Sequence, residues 1–433
     1  MSRDYTSNPY LPGTADAPSP LTLTQQEGPR NVETRALFAA MLAHFTNDGG
    51  SITFTVLIVY YMSLHISLTY LGAAAAASSL VSGLIAERIG SWADNSGKRG
   101  TIMAAGIGLL GAACLTFSTS FYLPGIAAII LFPGVILLGI GLAFYHPLGG
   151  SIIAFAAKGE GFSRQMGING SFGSIGRALF PTLIVSLVGI FGAPVGLLAL
   201  AAAIMAIGVI IFWLARSFDR FVASERQKQA SDRQSLKPYR RFVLALTGVF
   251  LVNAIFASGI TTYIPTYYEQ VYGSAAMAGM ITSVILLTPI FGQPVQGYIA
   301  GRIGNRRALQ LTVTASALVF ALFLCSRSVV LEVLSLAVFA FFYYTGFPVI
   351  LGYATLSTPR ESITRVNAII WGFGSTIGSA LGSALGGTLG QTYGFHVSFT
   401  VCWGFGLLAI ALLPLVPKMV SQGTQIASGN QPP

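Results

Sequence analysis

Apolar runs of about 20 residues recur along nearly the whole chain, the length a helix needs to cross a membrane core. In lipid, helices also satisfy their own backbone polar groups. The pattern predicts twelve spans. They lie near 36–62, 69–89, 101–120, 123–148, 166–190 and 193–215, then 241–267, 276–300, 307–325, 329–355, 366–389 and 396–416. The long polar stretch Arg216–Arg240 divides them six and six, and a charged connection between two equal apolar halves suggests duplication. The expected organisation is a disordered cytoplasmic tail at 1–35, a six-helix bundle at 36–215, a cytoplasmic linker at 216–240, a second bundle at 241–416 and a tail at 417–433. The first 34 residues are polar and rich in Pro, Asn and Thr, and the first apolar run is too long for the core of a signal peptide.

Composition agrees. Hydrophobic residues make up 53% of the 433 and charged residues only 9%, against about 25% in soluble domains. That gap excludes a soluble protein. The formal charge of +10 would suggest nucleic acid, but its distribution argues otherwise. With both termini inside, the inner loops hold Lys98, Arg99, Lys158, Arg164, the linker cluster, Arg302, Arg306, Arg307, Arg360 and Arg365. Only Arg327 falls outside, and only Arg177 falls in the membrane. This is the positive-inside pattern, with the charge facing anionic headgroups of the cell (inner) membrane and no nucleic-acid partner needed. Cys114, Cys325 and Cys402 stand alone within apolar runs and read as packing residues.

Two inner loops are alike. Gly90-Ser-Trp-Ala-Asp94-Asn-Ser-Gly97-Lys98-Arg99 follows the second span, and Gly297-Tyr-Ile-Ala-Gly301-Arg302-Ile-Gly304-Asn-Arg306-Arg307 follows the eighth. The pair resembles the loop motif of the major facilitator superfamily, at the two places that family has it. The resemblance implies an all-α polytopic membrane protein of two pseudo-symmetric six-helix bundles, working as a monomer. It also implies that Asp94 caps and pins a helix end of the other half, while Gly90 allows close helix approach. The second copy departs at Gly301, which replaces the Asp. A narrower similarity lies in His44-Phe-Thr-Asn47-Asp48, Phe144-Tyr-His146-Pro147-Leu-Gly149 and Gly173-Ser-Ile-Gly176-Arg-Ala-Leu-Phe-Pro181. These look like segments of the fosmidomycin-resistance type of exporter, with Arg177 a departure from that pattern.

Few residues offer chemistry. Asp48 lies about 12 residues into its span, so about 18 Å deep at 1.5 Å per residue, near the midplane. A carboxylate there costs on the order of 3 kcal/mol unless it faces a partner or a cavity. His44, four residues earlier, shares its helix face. Arg177 sits at similar depth in the fifth span and is the natural counter-charge. The reading is a proton switch in which Asp48 carries the proton, His44 tunes it and Arg177 holds an anionic group once released; the alternative is a structural salt bridge. His146, before Pro147 at the inner end of the fourth span, reads as a structural turn, with a gating or proton role as the alternative. By the superfamily's symmetry, Asn47, Asn253, Thr261, Tyr263, Gln293, Gln296, Tyr343, Tyr344, Asn367 and Trp371 are cavity or flanking candidates. Each amide serves equally well as glue between helices. Glycines at 374, 378, 382, 386 and 390 form a smooth ridge on span eleven.

No His-Glu-x-x-His, Gly-x-Ser-x-Gly, Gly-x-x-x-x-Gly-Lys or Cys-x-x-Cys occurs, so the sequence offers no enzyme signature, metal site or nucleotide loop, and no cofactor is expected. The expectation is a secondary active transporter that exports a small anionic or amphipathic compound against protons by alternating access. The alternative is a proton-coupled uptake symporter for an organic acid or sugar-like metabolite.

Overall fold

A computed structural model describes residues 29–156, 161–225, 237–358, 366–367 and 369–418. The helices are α1 (Pro29–Ser63), α2 (Leu68–Ser96), α3 (Arg99–Tyr122), α4 (Ala127–Ala156), α5 (Gly161–Glu225), α6 (Arg240–Thr261), α7 (Ile264–Tyr272), α8 (Ala275–Ile303), α9 (Asn305–Cys325), α10 (Val329–Ser357), α11 (Ile377–Tyr393) and α12 (Phe395–Leu412). No strand occurs among the described residues. Nine stretches of them are long and apolar enough to cross a membrane. One of these, Gln165–Arg220, is two spans joined at Gly192. There φ is +77° and ψ 159°, a conformation only glycine takes without strain, so the 65-residue α5 turns back on itself. The first span and the eleventh complete the twelve. α1 carries Arg35, His44 and Asp48 within its run, and α11 is 17 residues long behind a π-helical turn, Ile370–Thr376. The chain is therefore an integral, multi-pass membrane protein.

Element ends differ from the hydropathy pattern where polar residues extend a helix. α1 begins at Pro29, not near 36, because a helix continues into the headgroup region once it has nucleated. α5 likewise runs on to Glu225, beyond the expected 215. The seventh span breaks at Thr262–Tyr263, where Pro265 opens α7. The tail at 1–28, Lys158, residues 226–236 of the linker, Arg360, Arg365 and the tail from 419 lie outside the described residues.

α1, α3, α4 and both limbs of α5 pack together with α2 on α4, and α6, α8, α9, α10, α11 and α12 form the second group. The halves meet along two lines, α2 on α11 and α5 on α8. Exchanging the halves turns spans 2 and 5 into 8 and 11, so each contact is the image of the other. The apolar core, by contrast, is asymmetric along the membrane normal. One cluster runs through both halves, from Phe117 and Tyr61 to Tyr263, Phe320 and Phe399. A second, with Phe242, Phe250, Leu309 and Tyr353, belongs to the second half alone. The halves are fused at one end and parted at the other.

The parted end carries the basic loops. Asp94 was expected to reach the other half. Its carboxylate instead bonds Arg99 of its own loop, 2.7 Å from Nη2, among the described residues. The acid that caps a helix here is Asp219, from the end of α5. It accepts from Gly100 N at 2.7 Å, Thr101 N at 2.8 Å and Thr101 Oγ1 at 2.7 Å. Lys98 at the N-cap position makes no side-chain cap, so Asp219 satisfies the orphan donors of α3 from 119 residues away. Asp219→Ala is expected to lower stability by about 1–2 kcal/mol. Thermal unfolding of the detergent-solubilised protein reads this, and an unchanged midpoint would refute the capping role.

Candidate functional site

Asp48 lies where α1, α4 and α5 converge, and its side chain is 4% exposed. A lone carboxylate could not stay charged there, and four groups surround it. Arg177 Nη1 from α5 forms an ion pair with Oδ2. His44 Nε2, one turn earlier on α1, is 3.1 Å from the same oxygen. Asn47 Nδ2 donates to Oδ1 at 3.1 Å. His146 Nε2 from α4 stands 3.9 Å from Oδ1. The depth matching of Asp48 and Arg177 thus becomes a direct contact.

A second ring of groups fixes these side chains. Arg177 Nη2 donates to Ser174 Oγ at 3.1 Å. Its guanidinium carbon lies 4.8 Å from the ring centroid of Tyr344, on the other half. The His44 ring stacks on Tyr145, centroids 4.4 Å apart and planes 18° apart, and Tyr145 OH donates to Asn169 Oδ1 at 2.9 Å. His44 Nδ1 is 2.7 Å from the Asn169 carbonyl. That carbonyl only accepts, so Nδ1 carries a hydrogen. Nε2 then faces a carboxylate oxygen, a second acceptor. A neutral ring would set a lone pair against a lone pair, so the 3.1 Å contact needs one more proton, on Nε2 or on Oδ2.

Gly173 makes the approach possible. A Cβ there would fall 2.5 Å from His44 Nε2 and 2.6 Å from Asp48 Oδ2. Gly173→Ala is expected to push the pair apart and cut transport on the order of tenfold or more while the protein still folds, since displacements of about 1 Å in reacting groups cost that much or more. Transport assays with matched membrane expression check it. An alanine protein that transports normally means the pair does not need its present spacing.

The cluster forms part of the wall of a cavity of about 2650 Å³ between the halves. It opens at the end bearing Gly90, Asp94, Arg99, Gly297, Gly304, Arg306, Arg307 and Lys418. Gly97 closes α2 in a left-handed conformation, Lys98 precedes α3, and Arg302 lies over the ring of Tyr298. Asn47, Gln293, Gln296, Tyr343, Tyr344, Asn367, Thr261 and Trp371 line the cavity. Two candidates from symmetry do not. Tyr263 is fully buried, and its hydroxyl donates to the Ser383 carbonyl of α11 at 2.5 Å, against Gly72 of α2. It belongs to the seal at the closed end because the break at Thr262–Tyr263 turns it out of the cavity wall. Asn253 is 6% exposed and faces α9 and α10, beside Thr312 and Ser316. The glycine ridge of span eleven mostly packs inside its own half. Gly378 meets Leu251, Gly382 meets Ile255 and Gly386 meets Gly259, all on α6.

Asn169 and Tyr145 escaped the sequence reading, and His146 was read mainly as a turn. Their only signal was polarity within apolar runs, which does not say which face they take. Among the described residues, no three His, Cys, Asp or Glu side chains gather as a metal site.

The sequence model of the Major Facilitator Superfamily matches residues 38–370 and 270–431. No curated protein matches the chain. Solved structures share its fold at low identity. A bacterial homologue of the human lysosomal transporter Spinster, inward-facing and occupied, is 15% identical over 88% of this chain and 96% of its own, with a TM-score of 0.67. A D-xylose–proton symporter is 15% identical over 90% and 98%, at 0.71. A bacterial homologue of the iron transporter ferroportin, in an inward-facing state, is 14% identical over 89% and 99%, at 0.65.

Proposed function

Since the chain belongs to the Major Facilitator Superfamily, we propose that it is a proton-coupled secondary transporter that exports a small anionic or amphipathic compound by alternating access. The observation that carries the proton is His44, held between the Asn169 carbonyl and the Asp48 carboxylate, a geometry that calls for one shared proton. The cavity wall beside it supplies both halves of an amphipathic site: Arg177, Asp48 and Asn47 as the polar end, and Tyr343, Tyr344 and Trp371 as aromatic surface. By its charge the basic end of the cavity faces the cytoplasm, with both termini on that side. Access from the other side requires the α2–α11 and α5–α8 contacts to open as the halves rock.

Exchange follows when the compound and the proton compete. A compound whose donor group bonds Asp48 displaces the proton, which leaves on the inner side. The outer side then returns a proton and releases the compound. The similarity of the His44–Asp48, Phe144–Gly149 and Gly173–Pro181 segments to exporters supports this direction.

The Asp48–Arg177 pair favours a second reading for a purely anionic compound. One carboxylate occupies the guanidinium, so an organic acid reaches Arg177 only when a proton neutralises Asp48. Proton and anion then bind together, which is uptake by co-transport. Proteoliposomes with an internal pH dye separate the two. Added amphipathic compounds that drive proton efflux opposite to their own movement establish exchange, and acids that carry protons with them establish co-transport. Compound movement with no proton flux overturns both.

A further inference from the structure

We propose that His146 is the proton port of this site, the side chain through which protons pass between the open cavity and the buried Asp48–His44 pair, with Trp371 of the second half as its cover. The inference rests on the proton-coupled reading above and adds the route, which nothing in that reading requires.

Exposure orders the three groups. The side chain of Asp48 is 4% exposed, that of His44 13% and that of His146 33%. Of the carboxylate's two oxygens, Oδ2 is engaged by Arg177 and His44. Oδ1 has Asn47 on one side and His146 Nε2 at 3.9 Å on the other. That gap is too long for a hydrogen bond and short enough for a ring rotation or one water to close. Of the three titratable groups on this stretch of cavity wall, His146 is thus the most exposed, and it is the one that reaches the free side of Oδ1. Its ring also stands edge-on to His44, centroids 6.0 Å apart.

The backbone allows the movement. Pro147 lies inside α4 and lacks the N–H that would bond the Ala143 carbonyl, so the turn carrying His146 is one bond short. The charged groups around His146 are Asp48 and His44 from α1 and Arg177 from α5. From α2, Gly90 faces Pro147 and brings no charge. Delivery then balances simply. The ring takes a proton at Nδ1 from a hydronium ion in the cavity, leaving water, and gives the one on Nε2 to Asp48 Oδ1; a flip of the neutral ring then restores the starting arrangement. Release runs the same bonds backwards.

The second half covers this port. The Trp371 indole lies 4.7 Å from the His146 ring, at 52°. Trp371 belongs to the π-helical turn Ile370–Thr376, where Thr376 Oγ1 bonds the Trp371 carbonyl at 3.2 Å. Such turns are strained insertions that recur at functional sites. Rocking of the halves moves Trp371 relative to His146, so the port opens and closes with the transport cycle.

The test needs no transported compound. Full-length protein, labelled with 15N-histidine and held in lipid nanodiscs, gives the solvent-exchange rate of the His44 imidazole protons by water saturation transfer, with His44→Gln assigning the signals. His146→Gln is expected to slow exchange on the order of 10²-fold, the usual worth of a positioned acid–base group. Free imidazole should restore it in His146→Ala, a rescue that a merely structural role would not show. Trp371→Ala should exchange faster than wild type. Wild-type exchange in His146→Gln, or no rescue by imidazole, overturns the port and leaves the transport reading standing. An unchanged rate in Trp371→Ala overturns the cover. Absent proton flux in wild-type proteoliposomes overturns the transport reading itself.

Discussion

Asp48→Asn is expected to abolish proton movement triggered by transported compounds and to bring gradient-driven transport below half of wild type, with normal membrane expression. The reasoning is electrostatic. Asparagine keeps the shape and one acceptor oxygen, but holds neither a charge nor an exchangeable carboxyl proton. His44 Nε2 then faces an amide, and the second proton that the 3.1 Å contact with Oδ2 demanded has no site. Facilitated movement down a compound's own gradient can survive, because Arg177, Asn47 and the aromatic walls remain. The split between lost coupling and retained passive exchange marks a coupling residue. Unchanged gradient-driven transport in Asp48→Asn would sink the proposal. His44→Gln should show a milder form of the same defect.

The second large effect is a stability cycle on the ion pair. Arg177→Gln leaves the Asp48 carboxylate, 4% exposed, without its main counter-charge. Breaking one side of a buried pair costs about 3–5 kcal/mol, whereas removing both sides is often neutral. Thermal unfolding should therefore show Arg177→Gln clearly destabilised and the Asp48→Asn, Arg177→Gln double variant close to wild type, a strong non-additivity. Transport should not recover with stability in the double variant. If it does recover, the pair is only a structural bridge and the cavity works without it.

Much of this was legible along the chain because a membrane limits what each residue can do. Twelve spans, the central break and the two basic loops follow from hydropathy and charge. Depth counting alone put Asp48 and Arg177 at one level, since a helix rises by a constant amount per residue. The face a residue takes is harder. His44 and Asp48 share one by their spacing of four, but nothing along the chain sets α4 and α5 at the angle that brings His146, Tyr145 and Asn169 to them. Tyr263 shows the error in reverse. Assigned to the cavity by its span, it was turned into the closed end by the break that Pro265 allows. Asp94 and Asp219 differ for a similar reason. The loop pattern marks the nearer acid, which bonds Arg99 of its own loop, while the unsatisfied N–H groups of α3 take the one that α5 delivers.

By itself the sequence determined that this is a helical membrane protein of two halves, which loops carry its positive charge and which buried charges need partners. These are statements about single residues against a layered solvent, where the cost of misplacing a charge or an unpaired backbone group dominates everything else. The tertiary structure decided which partners are met, which end is open and which side chains stand between the acid and the cavity. Those depend on helix packing, where small residues such as Gly173 set approach distances, and packing energies differ by far less than the solvation terms that fix the spans.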